Sequence, residues 1–74
     1  MNIKEAKLLF QAGVLEDPVI RRVGEQGWTV VLEGRHQLKP ELETTRGGVR
    51  VFKTADAAVG VVFELGFEKI EVVR

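Results

Sequence analysis

The chain has no cysteine, no serine and a single histidine, His36. Without cysteine no disulfide can hold it together, and one histidine cannot supply a structural zinc site of the usual Cys/His kind. The lack of serine and cysteine also removes the common nucleophiles. Thr44 and Thr45 are the only hydroxyls near His36 in sequence, so a catalytic triad is not expected, and His36 reads as a loop residue. No apolar run approaches the ~20 residues of a membrane span. The opening MNIKEAKLLFQAG carries Lys4, Glu5 and Lys7 in place of an apolar leader, and a cytoplasmic protein is expected.

Excess charge is missing as well. Eleven basic residues face eleven acidic ones, so the formal net charge is zero. The balance is uneven along the chain. Residues 20–53 hold Arg21, Arg22, Arg35, Lys39, Arg46, Arg50 and Lys53 against Glu25, Glu33, Glu41 and Glu43, with acidic flanks on both sides. Glu41 and Glu43 would share a face of a strand, but neighbouring loop carboxylates are usually solvated. The glycines follow neither the P-loop pattern nor Gly-x-Gly-x-x-Gly, so no phosphate cradle and no cofactor is expected.

The 74 residues are enough for one domain, residues 1–74. A first helix is expected over 2–12, with Asn2 as N-cap, Glu5 at the capping-box position, and Gly13 at its end. Ile3, Ala6, Leu9 and Phe10 fall on one face. Strands at 19–23 and 28–33, joined by Gly24–Gly27, read as a hairpin. Trp28, Val30 and Leu32 share one face, and Thr29, Val31 and Glu33 the other. Residues 34–48 read as a loop with a strand fragment near 42–44, and Gly47-Gly48 turns into a strand at 49–52. A second helix over 54–65 is capped by Thr54 and ended by Gly66, with Ala55, Ala58, Val59, Val62 and Phe63 on its inner stripe. A last strand at 69–73 completes an α+β domain of order α-β-β-β-α-β. The helices are expected on one face of a mixed or antiparallel sheet; if the strands at 49–52 and 69–73 pair in parallel around the second helix, that crossover is right-handed.

Two candidate surfaces follow. Arg21, Arg22, Arg35, Arg46, Arg50 and Lys53 are the residues that could meet a partner or a nucleic acid, with Trp28 and Phe52 available for base stacking. The second helix is apolar nearly all round, which asks for burial on more than one side. Val31, Phe52, Val61, Leu65 and Val73 are therefore expected to exceed what one core can hold, and to bring two copies together as a homodimer.

The stretch Gly27-Trp28 with its apolar strand, Thr45-Arg46-Gly47-Gly48-Val49-Arg50-Val51-Phe52-Lys53-Thr54-Ala55-Asp56-Ala57-Ala58, Leu65-Gly66-Phe67, and Ala6-Lys7-Leu8-Leu9 with Ala12-Gly13 resembles small plasmid-encoded partition-associated proteins of the ParC type. Similar small chains are also described as plasmid replication proteins. The resemblance implies a non-enzymatic accessory role in plasmid maintenance and DNA segregation, beside a partition ATPase and a centromere-binding protein. It carries no catalytic residue.

Overall fold

The computed structural model describes residues 1–25, 27–35 and 40–74. His36, Lys39 and the rest of 36–39 lie outside the described residues, as does Gln26. The chain is a small α+β domain with elements in the order α1 (Ile3–Gln11), β1 (Val19–Val23), β2 (Gly27–Val31), α2 (Ala55–Leu65) and β3 (Glu71–Val73). No helix among the described residues is long and apolar enough to cross a membrane.

Both helices begin where local chemistry starts them. The Asn2 side chain accepts from the Glu5 N–H at 2.9 Å, and the Glu5 carboxylate accepts from the Asn2 N–H at 3.1 Å. Two of the donors that a helix start leaves without partners are thereby satisfied. Thr54 caps α2 by accepting from the Ala57 N–H. Gly66 ends α2 with φ +113°, a conformation that suits glycine. The Phe67 ring meets Phe10 edge-on with centroids 4.6 Å apart. That contact ties the end of α2 to α1.

The sheet has the order β2-β1-β3, with β1 antiparallel to β2 and parallel to β3. The final strand thus joins β1 instead of residues 49–52. Hydrogen bonding explains the change. The outer edge of β2 is already occupied: the Leu32 N–H donates to Pro40 O, the Leu42 N–H to Val30 O, and Trp28 and Phe52 exchange N–H···O bonds of 2.8 and 2.7 Å. β3 takes the edge of β1 that β2 leaves free, starting where the Glu71 N–H donates to Pro18 O.

Residues 49–52 make single bridges, Val49 to Glu43 and Phe52 to Trp28, and no continuous strand. They start in a small hairpin closed by Gly47-Gly48, where the Thr44 N–H donates to Gly48 O, and then cross to β2. A segment that changes partner midway cannot build a ladder. The crossing also sets the phase of the segment. Phe52, expected at the surface between two copies, turns inward beside Trp28 at 6% exposure, and Val51 is 56% exposed.

The core lies between the helices and one face of the sheet, around Ile20, Val30, Leu32, Leu42, Ala58 and Val62, all fully buried. In α2 the inward line runs through Ala58, Val62 and Leu65, so Leu65 is 5% exposed while Phe63 points outward at 55%. A helix with apolar residues all round has no unique inner stripe. Here the turn at Gly66 and the Phe10–Phe67 contact select one. Met1 is also buried, and its ammonium group meets Glu43 Oε1 at 2.6 Å.

Candidate interaction surface

The strand register assigns each side chain to a face. Ile20 lies opposite Val30 and points into the core. Val19 lies opposite Val31, Arg21 opposite Thr29, and Val23 opposite Gly27, so these residues form the other face, which the helices leave open. On β3, Glu71 is in register with Val19 and Val73 with Arg21, and both extend the open face.

A groove of about 530 Å³ crosses this face, with Thr29 at its floor and Val23, Val31, Val49 and Val51 along it. Thr29 is buried and its hydroxyl donates to Arg21 O at 3.4 Å. Val51 is drawn in by an absence. A Cβ on Gly27 would stand 2.5 Å from Val51 Cγ1 and 3.3 Å from Val23 Cγ2. Glycine at this position lets the two valines lean together over the backbone. A second depression, lined by Val19, Val31, Glu33 and Glu71 among others, continues the groove along the sheet through Val31 and Glu33.

The face is acidic. Among the described residues, its two depressions are lined by Glu16, Asp17, Glu33, Glu41 and Glu71, and by one cation, Arg21. Among the described residues, no three His, Cys, Asp or Glu side chains stand where they could share a metal ion, so these carboxylates form a charged rim and not a chelating cluster.

The basic candidates do not converge. Arg21 is on the open face, while Arg22, next to it in sequence, points to the other side, 5.9 Å over the Trp28 ring, and donates to Glu25 O at 2.8 Å. Arg50 lies 4.8 Å over the Phe52 ring. Arg46 sits in the exposed turn, Lys53 just before α2, and Arg35 beside Gly34 and the segment that follows α1. Arg22, Trp28, Phe52 and Arg50 are neighbours, but Phe52 is buried and has no free face for a base.

The set expected to pair two copies is likewise divided. Phe52 and Leu65 belong to the chain's own core, and Val61 is half-buried against it. Only Val31 and Val73 are on the open face. Val23, Val49 and Val51 join them there, which the sequence reading missed. Val23 could have been found, since it alternates with Val19 and Arg21 along one strand.

No protein-family model, no curated protein and no solved structure matches the chain.

Proposed function

We propose that the chain is a non-enzymatic adaptor that works through protein–protein contacts, with the open sheet face as its docking surface. The observation that carries this reading is the cluster of Val23, Val49 and Val51, each more than a third exposed around one groove of the open face, with Val73 on the same face at β3. Apolar side chains gathered on one face, with a polar rim, mark a contact site more often than scattered ones do. The sequence resemblance makes plasmid partition the proposed setting, with a partition ATPase or a centromere-binding protein as the molecule served. A homodimer meeting through this face is the second reading, favoured by Val31 and Val73 lying on it.

The test is genetic and structural together. Deleting the gene is expected to raise the loss rate of the replicon that carries it, and Val23→Asp with Val51→Asp is expected to do the same while the purified variant keeps its circular dichroism spectrum. Unchanged retention after the deletion would remove the partition setting. Full retention with the double variant would remove the docking face.

A further inference from the structure

We infer that the open sheet face docks a basic, aliphatic-bearing segment of a partner protein, whose sheet-facing side carries both lysine or arginine and valine-like side chains. The inference rests on the docking reading above and adds the chemistry of the occupant.

Exposed apolar surface calls for a partner. Val23, Val49 and Val51 line the groove and are each more than a third exposed, so covering it removes valine surface from water.

Charge selects among occupants. Among the described residues, five carboxylates and one guanidinium line the two depressions. A second copy laid face to face would bring the same acidic rim against itself, with Arg21 as the one described cation on each side. Nucleic acid would be repelled by the same rim. A segment carrying positive charge meets Glu33, Glu41 and Glu71 favourably and still offers aliphatic groups to Val31, Val49 and Val51. An extended occupant turns every second side chain toward the sheet, so that one row must carry both the aliphatic and the basic groups.

The probe is a short acetylated, amidated peptide of repeating Lys-Lys-Val-Val, which when extended carries both residues on each face, added to ¹⁵N-labelled full chain at low salt, with the matching Glu-Glu-Val-Val peptide as control. Saturable amide shifts are expected at Val23, Val31, Glu33, Val49 and Val51 with the lysine peptide and none with the glutamate peptide. Affinity is expected to fall several-fold on raising salt from about 0.05 to about 0.5 M, where screening shortens the reach of surface charge. Glu33→Gln with Glu71→Gln, both exposed and outside the core, is expected to weaken binding several-fold and leave the melt unchanged. Equal binding of the two peptides, shifts confined to the helical side, or no saturable shift would overturn the inference. So would a sedimentation dimer whose dilution shifts these same amides, because the second copy would then be the occupant. If the lysine peptide fails while Val23→Asp with Val51→Asp still raises replicon loss, the chemistry assigned to the occupant is wrong and the docking face stands. If the double variant has no effect on retention, the docking reading itself is wrong.

Discussion

Replacing Gly66 would meet both a backbone and a packing obstacle. It ends α2 at φ +113°, and a Cβ there would stand 2.6 Å from Phe10 Cε2 and 2.9 Å from Phe10 Cζ. Gly66→Ala therefore combines two costs. A left-handed conformation costs an L-residue about 1–2 kcal/mol, and forcing extra volume into a packed contact costs about 1–3 kcal/mol. The total of about 2–5 kcal/mol compares with roughly 4–11 kcal/mol of stability for a chain of 74 residues. With a urea m-value near 1 kcal/mol/M for so small a chain, the midpoint is expected to drop by about 2 M or more. Gly13→Ala separates the terms, because Gly13 also has a positive φ, +72°, but nothing within 4 Å of the added carbon. It is expected to cost about 1 kcal/mol, the backbone term alone. Phe10→Leu should cost less in the Gly66→Ala background than in the wild type, with a coupling of about 1 kcal/mol. Two results would refute the reasoning: a Gly66→Ala midpoint equal to that of Gly13→Ala, or zero coupling to Phe10.

Three further outcomes are expected. Gly27→Ala should cost about 1–2 kcal/mol by crowding Val51 and Val23; adding Val51→Ala should restore most of it, and thermal melts of the single and double variants check both. Asn2→Ala should cost about 1 kcal/mol in a urea melt by removing the capping box of α1. Phe52→Asp should abolish the cooperative melt at every protein concentration, since it buries an unpaired charge, whereas Val73→Asp on the open face should leave a folded chain by circular dichroism. A folded Phe52→Asp variant that differs from the wild type only in sedimentation mass would return Phe52 to an intermolecular surface.

The parts of the fold governed by neighbours in sequence were legible, and the parts governed by distant neighbours were not. Asn2 with Glu5, Thr54 with Ala57, and the glycines after each helix act within a few residues, so their chemistry is visible in the string. The segment Val49-Arg50-Val51-Phe52 has no such internal signal. Either phase buries an apolar residue, and the choice is made by the paired backbone bonds between Trp28 and Phe52, which join residues far apart in the chain. The same holds for β3. Its own alternation says that it is a strand but not which edge it finds, and that depends on Pro40, Leu42 and Phe52 having filled the edge of β2 first. In α2, Phe63 and Leu65 are both apolar, so only the tertiary contact at Phe10 decides which of them is inside.

Charge shows the same limit at the surface. Arg21 and Arg22 count together in any linear tally, yet strand alternation sends Arg21 to the open face and Arg22 over the Trp28 ring. The basic excess of residues 20–53 is thus dispersed over several sides of the molecule. The acidic residues do the opposite. Glu16, Asp17, Glu33, Glu41 and Glu71 are scattered through the chain, and the antiparallel turn into β2, the bridge from Glu41 to Val31, and the parallel return of β3 bring them to one face. Surface charges interact across about a Debye length of ~8 Å at physiological salt, and sequence order has no bearing on that distance. A chain of zero net charge can therefore present an acidic face to a partner, and the sign of that face, not the sum over residues, determines which partners approach it.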